Sequence, residues 1–357
     1  MNKKAPRVID LFCGIGGFSR GFEMADYNVA FGIDNWQVAL ETFENSHSNP
    51  TIIKKNVEDL QESDFRRFRK IDVIIAGPPC QGFSMSGKRD SNDIRNTLFE
   101  QVIRVVKKTK PKIVVIENVV GLLSMPAPKQ KLVKDMICEN FEQLGYEIDY
   151  KILNAVDYGV PQARKRVIFI ASRIGPIDFP SATHFEKPHK TLDGVKQKRI
   201  VTVGDAIGNI PDIGSNYYLK PKNEFQEMMA TEKKIYNHDS INHDESIVKR
   251  MSLVPQGGNW KDIPPEYYGV GGEHSNNYRR LHPKKPSVTL KHASKSMIIH
   301  PKYNRTLAVR EVARLQSFDD AFILEGTKSE QHQQLANAVP PLLGFAIAKH
   351  IKKFLDK

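Results

Sequence analysis

One cysteine of this chain stands where a thiol could act on a substrate. Cys80 lies in the loop 77–84, which carries two prolines and two glycines and directly follows the strand-like run 72–76. Prolines stiffen a backbone, glycines permit a turn, and α/β proteins bind ligands at the carboxyl ends of their strands. We therefore predict that Cys80 is a nucleophile. Cys138 falls in a helical pattern and Cys13 in a glycine turn, where cysteine is usually a small packing residue.

A glycine-rich turn between a predicted strand and a predicted helix could hold a nucleotide-type cofactor. The turn contains Gly14, Gly16 and Gly17, which let a ligand approach the backbone and the free N–H groups of a helix start. Asp34 ends the next strand, where an acidic side chain commonly binds ribose hydroxyls. A pyrophosphate-binding turn would have glycine at position 19, but this chain has Ser19. The pattern favours an adenosine cofactor without phosphates, and a tight turn with no ligand is the alternative.

Further charged side chains adjoin predicted strands. Glu117 follows the run 113–116, so it would point into the crevice at the carboxyl edge of the sheet. Arg164 and Arg166 precede the run 167–171, and residues i and i+2 of an extended segment project to one side. Taken singly, the glutamate could equally be a surface carboxylate and the arginines a solvated run.

The elements that must position these groups alternate between strands and helices over residues 1–175. Apolar runs of strand length are separated by segments with apolar residues at threes and fours, which is typical of a parallel sheet covered by helices on both faces. The predicted strands are 8–12, 29–33, 72–76, 113–116 and 167–171, and the clearest helices are 98–106 and 132–144. The fold class is α/β.

The chain changes character after residue 175. Residues 181–300 are rich in Pro, Gly, Asn and His, lack clear helical periodicity and hold eight of the eleven histidines. They contain eighteen Lys and Arg against thirteen Asp and Glu. Helical patterns return at 307–318 and 342–354. We predict three segments: a catalytic and cofactor-binding α/β domain at 1–175, a second, smaller, irregular domain at 176–300, and a return to the first domain at 301–357.

Composition excludes several classes of protein. With 357 residues, 40% of them hydrophobic and 26% charged, the chain can bury a core, which excludes intrinsic disorder. No apolar run reaches the length of a membrane span, three scattered cysteines cannot form a disulfide framework, and no Cys/His cluster has zinc-site spacing. We therefore expect no metal and a reducing, cytoplasmic environment. A net charge of +12 favours a polyanionic partner.

Seven motifs in a fixed order make the sequence similar to the cytosine-C5 DNA methyltransferases of bacterial restriction–modification systems. In chain order they are 10–17, 77–84, 93–99, 117–119, 162–166, 305–318 and 334–341. The resemblance covers nearly the whole chain outside 176–280. It implies a Rossmann-like domain that uses S-adenosyl-L-methionine, with S-adenosyl-L-homocysteine as product, and a target-recognition domain at 176–300.

The resemblance also implies roles for individual residues. Cys80 would attack C6 of a cytosine flipped out of duplex DNA, while Glu117 and Arg166 grip the base and Arg164 supports them. The residues implied in cofactor binding are Phe12, Gly14, Ile15, Gly16, Gly17, Asp34, Asn35, Asn56, Val57, Pro78, Leu98, Asn337 and Ala338. The candidates for DNA binding are Gln81, Ser84, Ser86, Lys88 and Arg89 near the nucleophile, Thr289 and Leu290 in the recognition domain, and Arg279 in the candidate contact loop 276–280.

The implied chemistry follows from the weak nucleophilicity of cytosine C5. Addition of a thiolate to C6 turns the ring into an enamine, whose C5 can attack a sulfonium methyl group. A protonated Glu117 could donate to N3 and Arg166 could bind O2 as charge develops. The sequence departs from the family at Asn56, where many members have aspartate, but an amide oxygen could still accept a hydrogen bond from the adenine amino group. Asp319 and Ala336 replace a frequent proline and glycine.

Three alternatives stay open: an RNA cytosine methyltransferase, a catalytically silent DNA-binding homologue and a nicotinamide-dependent oxidoreductase. The long insertion between Arg166 and Arg305 favours DNA over RNA. The presence of Cys80 and Glu117 disfavours a silent homologue, and Ser19 disfavours a nicotinamide cofactor. We expect a nucleoid-associated monomer that acts on double-stranded DNA at one short sequence, without a membrane partner, alongside a cognate restriction endonuclease of the same site.

Overall fold

The structure, a computed structural model, describes residues 4–48, 50–79, 98–127, 131–189, 197–239, 242–267 and 277–356. The predicted site residues Cys80, Gln81, Ser84, Ser86, Lys88 and Arg89 lie outside the described residues. The chain divides into two units. Unit 1 comprises Met1–Asn154, Lys165–Ser181 and Pro341–Lys357, and unit 2 comprises Ala155–Arg164 and Ala182–Pro340.

A β-sheet forms the centre of unit 1. Its strands are β1 (Arg7–Leu11), β2 (Asn28–Asp34), β3 (Thr51–Lys54), β4 (Val73–Ala76), β5 (Ile113–Val119), β6 (Glu147–Asn154) and β7 (Lys165–Ser172). Within the described residues the sheet has seven strands in the order β3-β2-β1-β4-β5-β7-β6. Strands β1 to β5 pair in parallel, and β1, β4 and most of β5 are buried. The predicted α/β class with a Rossmann-like sheet is confirmed.

The last two strands depart from the predicted parallel arrangement. The run 167–171, expected as a parallel strand, lies in β7, which is antiparallel to both β5 and β6. Strands β6 and β7 are joined by the short segment 155–164 instead of a crossover helix, and such a connection returns the chain in the opposite direction. Strands β3 and β6 escape the sequence prediction because few of their residues are buried.

Helices flank the sheet and make up part of unit 2. In chain order they are α1 (Gly17–Glu23), α2 (Gln37–Ser46), α3 (Glu62–Arg67), α4 (Leu98–Thr109), α5 (Val133–Gln143), α6 (Val203–Ile207), α7 (Glu224–Met229), α8 (Glu245–Leu253), α9 (Val309–Leu315), α10 (Lys328–Asn337) and α11 (Pro341–Leu355). The helices predicted at 98–106, 132–144 and 342–354 are confirmed as α4, α5 and α11. The pattern at 307–318 corresponds to the shorter α9.

Helices α1 and α11 pack closely in unit 1. A Cβ atom on Gly21 would lie only 2.5 Å from the carbonyl oxygen of Pro341, so a larger residue would force the two helices apart. The Tyr27 hydroxyl donates to the carbonyl of Ala348 at 3.1 Å. Phe22, a residue of α1, is fully buried. The first helix after the glycine turn is therefore covered by a helix about 320 residues later in the chain.

Unit 2 extends further along the chain than the predicted irregular domain. Arg314 of α9 is fully buried, and it donates to both carboxylate oxygens of Asp320 at 2.6 Å and to the carbonyl of Ala206 in α6 at 3.0 Å. The bond to Ala206 ties α9 to α6. Residues 301–340 consequently group with unit 2, and Pro341–Lys357 alone joins unit 1, whereas the sequence predicts that all of 301–357 returns there.

Several histidines of unit 2 surround a buried carboxylate. His300 and His238 approach Oε1 of Glu311 at 3.6 and 3.8 Å. Burial raises the pKa of Glu311, but hydrogen bonds led by that from Arg305 lower it to about 2. Burial lowers the pKa of His300 to about 4. In the part of the chain that the structure describes, no group of three His, Cys, Asp or Glu could hold a metal ion, and no helix is long and apolar enough to cross a membrane.

Candidate active site and cofactor loop

The carboxyl end of β5 and the start of β7 bring an acidic and a basic side chain together. Arg166 Nε lies 2.7 Å from Oε1 of Glu117, and the two side chains are only 13% and 11% exposed. Their proximity follows from the antiparallel register, in which Val119 is paired with Arg166. A charge-assisted bond in a partly dry position holds both side chains in one orientation. The predicted proximity of Glu117 and Arg166 is thus present in unit 1.

The loop that leads to Cys80 lies against the same acid. Strand β4 neighbours β5, and the loop leaves β4 at Gly77. A Cβ atom on Gly77 would lie 3.9 Å from Oε2 of Glu117. Asn118 donates through Nδ2 to the carbonyl of Pro78 at 3.3 Å, and Pro78 is buried. Sheet order therefore places the backbone two to three residues before Cys80 beside Glu117.

The glycine turn after β1 has a backbone that side chains would disturb. Phe12, Gly14 and Gly16 all have positive φ, of 57°, 52° and 78°. A Cβ atom on Gly16 would lie 2.2 Å from Nε2 of His47 and 2.5 Å from the ring of Phe43. Glycine is required there for both its conformation and its lack of a side chain. Ile15 and Gly17 are buried in the same turn.

Asp34 fastens this turn to the end of β2. Its Oδ2 accepts a hydrogen bond from the backbone N–H of Gly14 at 2.8 Å, and its Oδ1 accepts one from Trp36 at 2.9 Å. Each carboxylate oxygen has two lone pairs, so the half-buried Asp34 can still accept from ligand hydroxyls. Trp36, a half-buried aromatic residue, is a candidate for cofactor contact that sequence reasoning missed. Its position two residues after Asp34 was the available signal.

A second acid lies beneath the turn. Asp10 is 2% exposed, and its Oδ2 accepts a hydrogen bond from the Ser19 hydroxyl at 2.6 Å. Burial raises the pKa of Asp10 to about 8, although the bond from Ser19 opposes this. Ser19 thus ties the start of α1 to β1 at the position where a pyrophosphate site has glycine. Sequence reasoning missed this pair, although an aspartate inside an apolar strand is an unusual feature.

His47 supports the turn from behind. Its Nε2 lies 3.2 Å from the carbonyl oxygen of Ile15, and its Nδ1 lies 2.8 Å from Oε2 of Glu23. The imidazole stacks on Phe43 with a centroid distance of 4.2 Å. Because a carbonyl oxygen only accepts, Nε2 donates to Ile15. Spacing alone could not reveal this contact, since 32 residues separate its partners.

The other predicted cofactor residues lie at several places. Asn35 is exposed, and it donates through Nδ2 to Oδ1 of Asn56 at 2.6 Å. Val57 is buried with the hydrophobic core, and Leu98 is the first residue of α4. Asn337, the last residue of α10, is exposed in unit 2, and Ala338 follows it. Asn35 therefore follows the end of β2, and Asn56 and Val57 follow the end of β3.

Arg164 occupies a different setting from Arg166. It is 2% exposed, and its Nη2 donates to the carbonyl oxygens of Ala336 at 3.1 Å and Ala338 at 3.0 Å. These two carbonyls flank Asn337 at the end of α10. The alternation of the two arginines suggested that both would face one site, but Arg164 precedes β7 and belongs to unit 2.

The predicted recognition residues form hydrogen bonds within unit 2. Thr289 donates through Oγ1 to the carbonyl of Ala163 at 2.7 Å. Leu290 is buried, and its N–H donates to Oε1 of Gln162 at 3.2 Å. Arg279 donates through Nη1 to the carbonyl of Gly257 at 2.8 Å, so the candidate contact loops 256–260 and 276–280 are joined. Thr289 and Leu290 therefore contact the two residues that directly precede Arg164.

Comparisons with known proteins agree on one family. The model of the C-5 cytosine-specific DNA methylase family matches residues 6–353. The type II methyltransferase M.DdeI of Desulfomicrobium norvegicum is 37% identical over 98% of this chain and 89% of its own length. M1.HphI of Haemophilus parahaemolyticus is 38% identical over 97% and 86%. A crystal structure of an Escherichia coli prophage protein, described as a DNA modification methyltransferase, has a TM-score of 0.79 and 26% identity, and the match covers 99% of this chain and 100% of that one.

Proposed function

Because the chain belongs to the C-5 cytosine-specific DNA methylase family, we propose that it methylates C5 of a cytosine within one short sequence of duplex DNA, with Cys80 as the nucleophile. The observation that carries the assignment of the site is the pair of Glu117 and Arg166, held at 2.7 Å beside the loop that leads to Cys80. The type II relatives support a role as the modification enzyme of a restriction–modification system. Family membership removes the nicotinamide-dependent oxidoreductase from the alternatives.

Glu117 and Arg166 would bind the flipped base. Their mutual bond fixes both side chains before the base arrives, so little reorganisation is needed when charge develops on the ring. Arg166 has further N–H groups with which to donate to cytosine O2. Glu117 would hold a proton at N3 and accept a hydrogen bond from the exocyclic amine. Arg164, whose Nη2 binds the end of α10, would not be needed for these contacts.

Cys80 would add as a thiolate to C6, which makes C5 nucleophilic. When bound, S-adenosyl-L-methionine supplies the electrophilic methyl group. After methylation the C5 proton must leave so that the C6–S bond can break and release Cys80, and solvent water can accept that proton. None of these ring atoms is accessible within a duplex, so the target cytosine must be flipped into the site.

Methyltransferases of this family use S-adenosyl-L-methionine, and the glycine turn of this chain suits that cofactor. Gly14 and Gly16 give the turn its positive-φ conformation, and Asp34 has lone pairs left for ribose hydroxyls. Phe12 would contact the adenine, and Asn56 would accept from its amino group. Ser19 is bonded to Asp10, which leaves no third glycine for a pyrophosphate. The other residues that would contact the cofactor are those predicted from the sequence: Ile15, Gly17, Asn35, Val57, Pro78, Leu98, Asn337 and Ala338.

We extend the proposal to the partners. The substrate would be double-stranded DNA, contacted by Thr289, Arg279 and the residues that follow Cys80, with Leu290, which is buried, supporting Thr289 from within unit 2. The enzyme would act as a monomer, since one flipped base requires one site, and a cognate restriction endonuclease would cleave the same sequence. The relatives are type II methyltransferases, which supports this partner.

The test is expression of the chain in a host that lacks cytosine methylation, followed by bisulfite sequencing of the host DNA and RNA. Protection of cytosines at one short DNA sequence, absent with Cys80→Ala, is expected. Protection of RNA alone would replace DNA as the substrate. No protection, from folded protein that binds S-adenosyl-L-methionine, would indicate a silent homologue.

A further inference from the structure

Unit 2 contains a stretch of chain with an extreme charge bias. Residues 274–310 contain nine Lys and Arg and no Asp or Glu. All thirteen acidic residues of 181–300 precede this stretch, so it accounts for the basic surplus of that region. We call residues 277–310, the part of this stretch that the structure describes, the cationic segment.

The four arginines of the cationic segment donate hydrogen bonds within unit 2. Arg280 is buried and donates to the carbonyls of Val254 and Met251, both at 2.7 Å. Arg305 binds Glu311 at 2.8 Å, and Arg310 binds the carbonyl of Phe322 at 2.7 Å. Arg279 binds the carbonyl of Gly257 at 2.8 Å, as described above. These guanidinium groups stabilise loops of unit 2.

The lysines of the segment behave in the opposite way. Lys284, Lys285, Lys291, Lys295 and Lys302 are all exposed. Lysines that pair with carboxylates among the described residues lie elsewhere in the chain, at Lys55, Lys108, Lys112, Lys131, Lys134, Lys198 and Lys352. Lys302 lies over the ring of Tyr303, at 5.1 Å from its centroid. Within 19 residues of sequence, five ammonium groups therefore face solvent with no carboxylate partner in the described part of the chain.

The backbone beneath these lysines is ordered by hydrogen bonds. Residues 279–281 pair with 298–300, since Ile299 N–H donates to the Arg279 carbonyl at 2.8 Å and Leu281 N–H donates to the Ile299 carbonyl at 3.1 Å. All five lysines lie on the connections that adjoin this pairing. The same connections carry Thr289 and Leu290, which donate to the carbonyl oxygen of Ala163 and to the side-chain oxygen of Gln162. The flexible lysine side chains are thus carried by a backbone that hydrogen bonds hold in place.

We propose that these five lysines bind the phosphates of the DNA duplex and supply the sequence-independent part of its affinity. Phosphate contacts position a protein on DNA without reading sequence, and ammonium groups suit them as compact charges that need no fixed geometry. The absence of acidic residues from the segment removes the repulsion that a phosphate would otherwise meet. This inference rests on the proposed function, since it takes duplex DNA as the partner.

Salt dependence of binding tests this role directly. Each phosphate contact contributes about 0.9 to the slope of log K against log salt concentration. A variant with all five lysines changed to Gln should therefore lose up to about 4.5 from that slope, measured by fluorescence anisotropy with a short duplex that lacks the recognition site. Turnover at saturating DNA and the methylated sequence should stay unchanged.

A control variant removes the same charge from unit 1. Lys4, Lys107, Lys151, Lys349 and Lys353 are also exposed, and their change to Gln should leave the slope within about 1 of the parent. Equal slopes for the two variants, or no change in the first while thermal unfolding shows it folded, would overturn the inference. A larger slope loss on single-stranded RNA than on duplex DNA would reassign the partner. If the parent enzyme neither binds nor methylates duplex DNA, the proposed function itself has failed.

Discussion

Arg164→Lys should weaken binding of S-adenosyl-L-methionine more than it slows methyl transfer. The buried guanidinium donates to the carbonyls of Ala336 and Ala338, at 3.1 and 3.0 Å. The last carbonyls of a helix lack partners within it, so a cation at the end of α10 both satisfies and attracts them. Because Asn337 lies between these carbonyls, Arg164 fixes the backbone that presents its exposed side chain.

The magnitude follows from the two hydrogen bonds. A bond from a charged donor contributes about 1.5–3 kcal/mol, and a lysine, which has no planar fork, can keep one of the two. The free energy of unfolding should therefore fall by about 1.5–3 kcal/mol. Asn337 is one of the residues proposed to bind the cofactor. Loss of a hydrogen bond that holds its backbone should therefore weaken cofactor binding by about 10- to 100-fold, at 1.4 kcal/mol per factor of ten.

Isothermal titration calorimetry gives the cofactor Kd, and methyl transfer at saturating cofactor gives kcat and the KM for DNA. Arg166→Lys is the matched control, because it makes the same substitution two residues away at the Glu117 contact. It should lower kcat and leave the cofactor Kd unchanged. The reasoning is refuted if Arg164→Lys leaves the cofactor Kd unchanged and lowers kcat as Arg166→Lys does.

Three further outcomes are expected. Glu117→Gln should lower kcat by about 10²- to 10³-fold in a methyl-transfer assay without changing the cofactor Kd, because it removes the acid that would hold the N3 proton. An unchanged kcat would contradict this. Gly16→Ala should abolish cofactor binding, because its Cβ would lie 2.2 Å from His47, whereas Gly145→Ala, with a similar φ of 77° and open space, should bind normally. The contribution of Asp10 to the free energy of unfolding should fall as pH rises from about 4 to about 8, because the fold raises the pKa of Asp10 from 3.8 to about 8 and so favours its protonated form. Buried histidines such as His300, whose pKa is lowered, act in the opposite direction below their usual pKa, so the measured quantity is the difference between the parent and Asp10→Asn in urea titrations across this pH range. A difference that stays constant with pH would contradict the buried-acid argument.

Much of the sheet could be predicted because it is locally encoded. Strands β1, β4 and β5 are continuous apolar runs, and burial on both faces requires such runs. The meeting of Glu117 and Arg166 was implied only by the family resemblance, because at the start of a parallel strand Arg166 would lie at the edge of the sheet opposite to Glu117. The antiparallel direction of β7 brings the two together, and it could not be predicted, because the same apolar run suits either direction and only its connection to β6 decides.

Other parts of the site depend on contacts that sequence spacing does not encode. Arg164 and Arg166 share one motif, yet the first binds the end of α10 and the second binds Glu117. His47 reaches the carbonyl of Ile15 only because α2 packs behind the turn. Asn337 is brought beside Arg164 by contacts across more than 170 residues. Such long-range pairs require the packed structure.

The packing of α11 on α1 has a consequence for the order in which the enzyme can fold. Helix α1 follows the glycine turn directly, and its buried side of Phe18 and Phe22 meets a helix that begins at Pro341. During synthesis the ribosome must therefore add more than 300 residues before that partner exists. Contacts this distant in sequence form slowly, and exposed apolar surface invites aggregation in the interval. Synthesis of unit 1 thus begins first, but unit 1 cannot be complete until α11 has been made. Unit 2 must fold as an insertion within unit 1.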